Sequence, residues 1–512
     1  MRKKRPVSFR GLSQAFFLLL FTYLLWTATY PLNVAVPLKA VFGADPLVTF
    51  FTAISERILT EGLVLGAFIL VMTFVFGRFF CGWVCPLGAV LDIMSLGRKR
   101  KDAICAANHK NLYRAKFYLL TGLFILAVCG IQLVWFFAPT VIMGRFISLN
   151  FIPAFTAAID SALIFLIKKF QLYGAGLDFY RLLKSSILGI KTYYFSHAVI
   201  IALFFTGILA GTFFTRRLWC RAVCPLGALF ALISKKAFFT RFVSPCARCN
   251  ACVAACRMGA IKEDASYFKA ECILCRDCIR ACAGNNTRFA FPANTRKAEQ
   301  KRPAFKSKRG VSRRDFLFLF CAGITAAAIK AGHKPGAIIK NAFVLRPPAA
   351  LQEEKFLNRC VRCGNCMKVC PTNALQPVSF EAGFAGIWTP QLLPQIGYCE
   401  YNCNLCAKVC PTGAITDVGL ERKKKLKLGL AKIDRRICLP WHKKKECLVC
   451  EEHCPIPDKA IRFKKELVEG KELLRPYVDI NLCTGCGICV TRCPVQPRRA
   501  VKIFPTSLDR II

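Results

Sequence analysis

Apolar residues in the first half of the chain form long runs, not the short alternating or one-sided patterns of soluble strands and helices. Four runs of about 20 residues are apolar around the whole circumference of a helix, namely residues 15–36, 62–80, 115–137 and 196–214. Helices of this length cross the hydrocarbon core of a bilayer, so the sequence predicts four transmembrane helices. Residues 146–169 are also apolar, but polar residues interrupt and flank them, which favours an interfacial or re-entrant helix on the outer side.

Basic residues flank these runs on one side. The amino-terminus reads MRKKR, residues 97–101 read GRKRK after the second run, and Ser234-Lys235-Lys236 follows the fourth run. Because basic loops stay in the cytoplasm, both ends of the helix bundle are expected on the cytoplasmic side. Hydrophobic residues make up 55% of the chain and the mean hydropathy is +0.41, which is too apolar for an ordinary soluble enzyme.

The membrane half contains an internal repeat. Residues 78–90 read RFFCGWVCPLGAV and residues 217–229 read RLWCRAVCPLGAL, which indicates a duplicated two-helix unit. Each copy places two cysteines four residues apart, Cys81 with Cys85 and Cys220 with Cys224, so each pair would share one helix face. The two copies could bring four thiols together as an additional metal site, as a dithiol electron relay, or as packed thiols of a structural turn.

The remaining cysteines indicate metal ligation. The chain has 31 cysteines in CxxC-type groups, whereas disulfide frameworks belong to short secreted chains. The net charge of +45 does not point to a nucleic-acid partner, because Lys and Arg are spread along the chain and concentrate beside apolar segments. Part of that charge is expected to balance iron-sulfur clusters, each of which carries roughly −2 with four thiolates.

Six groups of four cysteines follow or approximate the C-x2-C-x2-C-x3-C spacing of [4Fe-4S] ferredoxins. They are Cys246, Cys249, Cys252 and Cys256; Cys272, Cys275, Cys278 and Cys282; Cys360, Cys363, Cys366 and Cys370; Cys399, Cys403, Cys406 and Cys410; Cys438, Cys447, Cys450 and Cys454; and Cys483, Cys486, Cys489 and Cys493. The sequence therefore predicts six [4Fe-4S] clusters as the cofactors. Tetrahedral zinc sites are the alternative that CxxC pairs leave open, but they do not account for the repeated third and fourth cysteines.

In two-cluster ferredoxins three close thiolates bind one cluster and the fourth cysteine crosses to its partner. By that rule Cys282 completes the cluster of the first group and Cys256 completes the cluster of the second. The motifs depart from the usual spacing in places. Arg257 and Ala283 stand where a proline is usual, Cys399 and Cys403 are one residue further apart, and eight residues separate Cys438 from Cys447, which makes Cys438 the weakest of the 24 ligand assignments.

The sequence contains no motif for another cofactor or for group-transfer chemistry. The chain has no CxxCH for covalent haem, and of its five histidines His197 alone falls in a predicted membrane helix, so a bis-histidine haem pair is not expected there. There is no Walker motif, dinucleotide-binding glycine motif or nucleophile elbow. The sequence predicts an electron carrier or a quinol dehydrogenase component, and leaves open whether it is an enzyme in its own right.

A second boundary follows the first two cluster motifs. Arg313 and Arg314, in the sequence SRRDFL, precede a short apolar run at residues 316–329, which fits a twin-arginine export signal; a fifth membrane helix is the alternative. The predicted domains are a membrane bundle at 1–240, a two-cluster module at 241–284, a basic linker with the export-like segment at 285–345, and a four-cluster domain at 346–512. The predicted fold class is mixed, an α-helical membrane bundle of four helices plus a possible fifth anchor, with ferredoxin-like α+β domains.

These motifs resemble a known group of proteins. The half through Cys282, with CGWVCP, CRAVCP and a two-cluster module, resembles the NapH-type membrane quinol-dehydrogenase ferredoxins, whose core is shared with the membrane regulator of nitrous-oxide reduction. The half from Ser312, with SRRDFL, RPPAALQEEKFLNRCVRCGNCMKVCP and four cluster motifs, is similar to exported ferredoxins of the NapG and MauM type. The chain would then be a fusion of two proteins that are usually separate.

The resemblance implies electron transfer from the membrane quinone pool, with menaquinol or ubiquinol as donor, to a periplasmic or membrane redox partner protein. The expected location is the bacterial cytoplasmic membrane, multi-pass, with the carboxy-terminal domain outside the cytoplasm. Two other hypotheses stay open. One is a redox accessory protein that matures or reactivates a metalloenzyme through Cys81, Cys85, Cys220 and Cys224, and the other is a polyferredoxin with all its clusters in the cytoplasm.

Overall fold

The computed structural model describes residues 9–30, 38–95, 112–184, 194–243, 246, 248–284, 286–291, 344–468 and 470–505. The chain divides into two compact units, each of which is held together by contacts among its own residues. Unit 1 comprises Met1–Leu24, Lys39–Phe146 and Ile200–Gly332, and unit 2 comprises Leu25–Leu38, Ile147–Val199 and His333–Ile512. The predicted export signal at Arg313 and Arg314, the apolar run 316–329 and the basic segment 97–101 lie outside the described residues.

Among the described residues up to Ser234, helices dominate. They are α1 Phe9–Thr27, α2 Leu38–Gly43, α3 Pro46–Glu56, α4 Gly62–Phe76, α5 Phe79–Trp83, α6 Pro86–Met94, α7 Leu112–Val128, α8 Pro139–Phe146, α9 Ile152–Lys169, α10 Ala175–Leu183, α11 Ala198–Phe214 and α12 Pro225–Ser234, with π-helical turns at Ile147–Phe151 and Trp219–Val223. The two repeat copies start helices in the same way. Cys85 and Cys224 are N-caps whose sulfur atoms accept the amide hydrogens of Gly88 and Gly227, and a proline occupies the first helical turn of each.

Two helical segments are long and apolar enough to cross a bilayer among the described residues, Phe9–Thr27 and the continuous 31-residue run Pro139–Lys169. Two of the predicted spans, at 62–80 and 196–214, form helices of 15 and 17 residues, and the one at 115–137 forms a 17-residue helix followed by a turn. Gly77, with φ +89°, ends α4. At 1.5 Å per residue these helices fall short of the roughly 30 Å hydrocarbon core. The segment at 146–169 belongs to the longest helical run, so it differs from the interfacial helix that the sequence predicts.

The cluster-motif segments contain short elements. After α12 come α13 Ala251–Ala255, α14 Asp277–Arg280, α15 Glu353–Arg359, α16 Asn365–Lys368, α17 Leu405–Lys408, α18 Leu420–Lys425, α19 Val449–Glu452 and α20 Ile488–Arg492. The strands are β1 Thr240–Val243, β2 Thr287–Ala290, β3 Leu375–Pro377, β4 Pro390–Leu392, β5 Gly429–Ile433, β6 Ile461–Val468, β7 Lys471–Val478 and β8 Val501–Pro505. They form four antiparallel pairs, β1–β2, β3–β4, β5–β8 and β6–β7. The predicted mixture of helices and sheets is therefore confirmed.

Small cores surround the motif cysteines in unit 2. One buried group combines Cys454, Cys483 and Cys489 with Ile461 and Val501. A second combines Cys360 and Cys410 with Phe356 and Ile415, and a third joins Cys438 to Cys493 and Ala500. Cysteines thus occupy positions that aliphatic side chains fill in most domains of this size. Such small cores are usually stabilised by bound metal.

Candidate iron-sulfur sites

The two-cluster module of unit 1 contains a void lined by residues of both of its cysteine motifs. Its wall includes Cys272, Cys275 and Cys278 from one motif and Cys256 from the other. Strands β1 and β2 close one side, and Arg241 and Phe289 of these strands line the void. The chain therefore brings together three close thiols and one crossing thiol, in the arrangement that the motif spacing predicts for this cluster.

Unit 2 repeats this crossed arrangement three times. Three voids are lined respectively by Cys360, Cys363, Cys366 and Cys410; by Cys399, Cys403, Cys406 and Cys370; and by Cys483, Cys486, Cys489 and Cys454. The extra residue between Cys399 and Cys403 leaves both side chains on the wall of the same void. Each void has four thiols on its wall, so these sites fit a four-thiolate cluster.

The stretched motif also assembles. Cys438 packs against Cys493, and the thiols of Cys447, Cys438 and Cys493 all act electrostatically on Cys450. The long loop between Cys438 and Cys447 contains a π-helical turn at Leu439–Lys443. Cys438, the weakest assignment from spacing alone, therefore lies with the other three thiols.

The remaining set lies at the surface of unit 1. Cys246 and Cys249 are exposed, and Cys252 and Cys282 are partly buried. Residues 244, 245 and 247, which flank Cys246, fall outside the described residues. The structure brings Cys252 within electrostatic range of Cys278 of the neighbouring site, and does not show Cys246 and Cys249 enclosed with Cys282.

Burial changes the acidity of these thiols. It raises the pKa to about 12 for Cys275, Cys363, Cys399 and Cys450. Iron binds the thiolate, so the metal would replace the proton in these sites. Cations already face several of them and favour the thiolate: Arg241 near Cys278, Arg362 near Cys360, and Lys423 near Cys399.

The four thiol sets of unit 2 follow one another in space. Within each motif pair the crossing cysteines join the two sites. Between the pairs, the Cys399 amide donates to the Cys486 carbonyl oxygen at 2.8 Å, and the two thiols interact electrostatically. Cys450 and Cys489 provide the corresponding link to the stretched motif. The sets therefore lie in the order of Cys360, Cys399, Cys483 and Cys438, an unbroken series.

The thiols of the two repeat copies are also close together in unit 1. Cys81, Cys85, Cys220 and Cys224 are all buried, and they interact electrostatically with one another. His197, the histidine in a predicted membrane helix, belongs to unit 2. Its Nε2 lies 2.7 Å from the Ser379 hydroxyl oxygen, with which it makes a hydrogen bond. No three side chains of His, Cys, Asp and Glu, among the described residues, converge tightly enough for a single metal ion.

Sequence reasoning missed several buried charged residues. Asp92 accepts hydrogen bonds from Gln14, Arg10 and Arg217, and Glu271 accepts from Arg78 and Lys116. Lys368 in unit 2 donates to the carbonyl oxygens of residues 25, 26 and 28. For Asp92 the available signal was a charged residue within the apolar stretch GAVLDIM, which is costly unless it is paired.

Two family models match the chain. One, described as a 4Fe-4S binding domain, matches residues 58–103 and 197–244. The other, described as a 4Fe-4S dicluster domain, matches residues 359–414 and 444–496. The second match of this model begins after Cys438. No solved structure matches the chain.

Curated proteins similar to this chain are ferredoxin-type proteins. The methylamine utilization ferredoxin-type protein MauM of Methylorubrum extorquens is 34% identical over 202 residues, which is 38% of this chain and 90% of that protein. The ferredoxin-type protein NapG of Escherichia coli is 34% identical over 192 residues, covering 37% of this chain and 82% of NapG. NapG of Haemophilus influenzae is 33% identical over 227 residues, covering 42% and 77%. With its 4Fe-4S domains and this coverage of MauM and NapG, the chain belongs to the MauM and NapG family of ferredoxin-type iron-sulfur proteins.

Proposed function

We propose that the chain is a membrane-anchored electron-transfer protein that carries electrons through six [4Fe-4S] clusters, from membrane quinol to a periplasmic reductase or other acceptor. The observation that carries this proposal is the unbroken series of thiol sets in unit 2, where each set contacts the next through a crossing cysteine or through the Cys399–Cys486 hydrogen bond. Electron transfer slows steeply with distance, so neighbouring clusters in this order would form a conducting path.

The proposed ligands are the 24 motif cysteines, four to each cluster. Each thiol set would hold its cluster as thiolates, and the cluster would supply one-electron redox chemistry. The protein contributes the low-polarity walls, the backbone amides around the sulfur atoms and the cations Arg241, Arg362 and Lys423. These cations favour the more negative, reduced state and so tune the potential of each site.

Exposed apolar helices support the membrane anchor. Val64 on α4 and Val199 and Leu203 on α11 are 79%, 70% and 65% exposed, as lipid-facing side chains would be. The helices at Phe9–Thr27 and Pro139–Lys169 are the spans supported by length. We propose that α1, α4, α7 and α11 are the four helices of the membrane bundle, so that the domains are the membrane bundle at 1–240, the two-cluster module at 241–284, the linker at 285–345 and the four-cluster domain at 346–512.

The names of the relatives place them in redox systems, as NapG and MauM ferredoxin-type proteins. By analogy we propose menaquinol or ubiquinol as donor, a redox protein outside the cytoplasm as acceptor, and export of the four-cluster domain through the signal at Arg313 and Arg314. One observation favours a second function. Four buried thiols in the repeat copies would suit a redox accessory protein that reactivates a metalloenzyme.

The first experiment measures iron, acid-labile sulfide and EPR spectra on anaerobically purified protein, with a menaquinol analogue as reductant and dithionite as the control. We expect at least about 24 irons per chain, and cluster signals that appear with quinol as well as with dithionite. Signals that appear with dithionite alone would contradict the quinol donor and favour the accessory function. Zinc in place of iron would contradict the cluster assignment.

A further inference from the structure

The two repeat copies of unit 1 face each other in a reciprocal way. Arg217, at the start of the second copy, donates through Nη1 to the Cys81 carbonyl oxygen at 2.8 Å and through Nη2 to the Gly88 carbonyl oxygen at 3.0 Å. Arg78, at the start of the first copy, extends its Nη2 to the Gly227 turn of the second, where an added Cβ would lie only 2.8 Å away. Each copy therefore inserts an arginine into the Cys-Pro-Leu-Gly turn of the other.

This exchange brings four buried thiols together. Cys224 is buried and lies within electrostatic range of Cys220, Cys81 and Cys85. Cys85 is also buried and lies within electrostatic range of Cys81 and Cys220. Backbone amides already point at two of the sulfur atoms, at 3.5 Å from Gly88 to Cys85 and at 3.3 Å from Gly227 to Cys224.

Buried positive charge around these thiols exceeds buried negative charge. Five basic residues of this region are buried, against two acidic ones, Asp92 and Glu271. The basic ones are Arg10, Arg78, Lys116, Arg217 and Arg221. An uncompensated buried cation is costly, so this excess indicates that anions belong nearby. The clusters of the adjacent ferredoxin module would balance part of it.

After the excess of buried positive charge, the Arg78 side chain is a second, independent indication that an anionic ligand binds here. This side chain is fully buried, and Nη1 donates to Glu271 at 2.8 Å, but Nε and Nη2 have no hydrogen-bond partner. The guanidinium lies within electrostatic range of Cys81, Cys220 and Cys224. Buried guanidinium nitrogens without partners are rare in native proteins and fit an anionic group held by these thiols.

We propose that Cys81, Cys85, Cys220 and Cys224 hold a seventh iron-sulfur cluster as its four thiolate ligands, between Arg78 and Arg217. The family matches agree with such sharing. Residues 58–103 and 197–244 each match a 4Fe-4S binding domain, yet each contains only two cysteines, and neither includes a ferredoxin motif. Together the two copies supply the four thiolates that one cluster needs.

The position of this site joins it to the ferredoxin module. Gly82, next to Cys81, packs against Ile273, so closely that a Cβ at Gly82 would lie 2.1 Å from the Ile273 carbonyl oxygen. The Trp83 indole donates to the Leu274 carbonyl oxygen at 3.2 Å. Ile273 and Leu274 lie between Cys272 and Cys275, so the seventh cluster and the module cluster would exchange one electron at a time, one being oxidised as the other is reduced.

The test compares the full-length protein with the double variant Cys81→Ser/Cys220→Ser, and with Cys129→Ser as a control cysteine outside every thiol set. We expect the double variant to lose about one seventh of the iron and one EPR component, while the other signals and the Cys129→Ser protein stay unchanged. Equal iron content and identical spectra in all three proteins would overturn the proposal. The iron count needs no quinol, so it is independent of the proposed donor.

A second measurement covers the case in which the double variant does not fold. Anaerobic native mass spectrometry of the wild-type protein should give a highest-mass species beyond that of six [4Fe-4S] clusters. A maximum at six clusters, or a disulfide that joins any of Cys81, Cys85, Cys220 and Cys224 in peptide maps, would overturn the seventh cluster.

Discussion

At the scale of single residues, the buried charged groups of unit 1 are held by specific partners. Asp45 is fully buried and caps α3, where it accepts the Leu47 amide at 3.0 Å and the Thr140 hydroxyl at 2.5 Å. Burial raises its pKa to about 6, and the hydrogen bonds from Thr140 and Leu47 limit that rise. The cap satisfies amides at the start of the helix, but the ionised form is costly at this position.

Replacement of Asp45 by Asn should remove one pH-dependent part of the stability. Because the folded-state pKa is raised, the contribution of Asp45 is fully present below about pH 3.8 and is lost as the pH rises through about 6, a change of about 3 kcal/mol. Asp45→Asn keeps an acceptor for the Leu47 amide, turns an amide donor toward the Thr140 hydroxyl oxygen, and does not titrate. Thermal unfolding in detergent between pH 5 and 7 should show a smaller pH dependence in the variant, and equal slopes would contradict the assignment.

The ligand role of Cys438 can be tested on its own. Cys438→Ala should remove one cluster, and with it about four irons per chain, because Cys447, Cys450 and Cys493 would keep only three thiolates. Cys129→Ser serves again as the control. Unchanged iron would mean that the stretched motif uses another fourth ligand, and iron analysis together with EPR distinguishes the two results.

At the scale of elements, two turns of the four-cluster domain contain a glycine with a left-handed backbone conformation. Gly485, between Cys483 and Cys486, has φ +72°, and a Cβ there would lie 2.2 Å from the Gly429 carbonyl oxygen of β5. Gly470, at the turn between β6 and β7, has φ +80° with open space around it. Both positions favour glycine by backbone conformation, but only the first is also in a tight contact.

This pair of glycines gives a matched test. Gly470→Ala should cost about 1 kcal/mol of stability, from the left-handed backbone alone. Gly485→Ala should cost several times more and should lower the iron content, because the loop must move away from β5 and displace Cys483 and Cys486. Denaturant unfolding and iron analysis measure both effects, and equal losses for the two variants would show that the close contact with Gly429 is unimportant.

Asp92 joins three elements of unit 1. Its carboxylate on α6 binds Arg10 on α1 and Arg217 of the second repeat copy, and Arg257 lies 3.2 Å away. These arginines and hydrogen bonds hold the pKa of Asp92 well below its usual range despite burial, which opposes them as the largest single effect. The network therefore fixes the position of the repeat copies that carry the four thiols.

Asp92→Asn should destabilise unit 1 by about 3–5 kcal/mol, because it leaves buried arginines without their carboxylate. The matched control is Asp178→Asn, which breaks an ion pair with Arg181 whose side chains are both 75% exposed. That pair should contribute less than about 1 kcal/mol. Chemical denaturation followed by circular dichroism compares the two, and a similar effect of both variants would contradict the role of the Asp92 network.

At the scale of the whole molecule, the main consequence of the proposed function is the side of the membrane on which the four-cluster domain at 346–512 lies. An epitope tag after Ile512 should be cleaved by protease added to spheroplasts, because the four-cluster domain is proposed to be exported. The variant Arg313→Lys/Arg314→Lys should protect the tag, since a twin-arginine signal needs both arginines. A tag protected in both proteins would favour the cytoplasmic polyferredoxin, and a tag exposed in both would favour an ordinary fifth membrane helix.

Local spacing in the sequence was enough to predict the cysteine groups, the mixed fold class and the repeat, because three thiols of one motif lie within a few residues and helices depend on local apolar pattern. It was also enough to indicate the family that MauM and NapG represent. Membrane spans were less predictable. The runs at 62–80 and 115–137 are apolar throughout, so hydropathy alone does not indicate where each helix ends. In the structure the first helix ends at Phe76, before Gly77, and the second ends at Val128.

Only the tertiary structure decided which distant groups meet. The approach of Cys438 to Cys493, the link between Cys399 and Cys486, and the meeting of Cys81 with Cys220 all join residues that no local pattern pairs. The charges that fix them, such as Arg217 with Asp92, are 125 residues apart in the chain. Spacing along a sequence determines which ligands one loop can present, whereas the fourth ligand and the counter-charges depend on how separate elements pack.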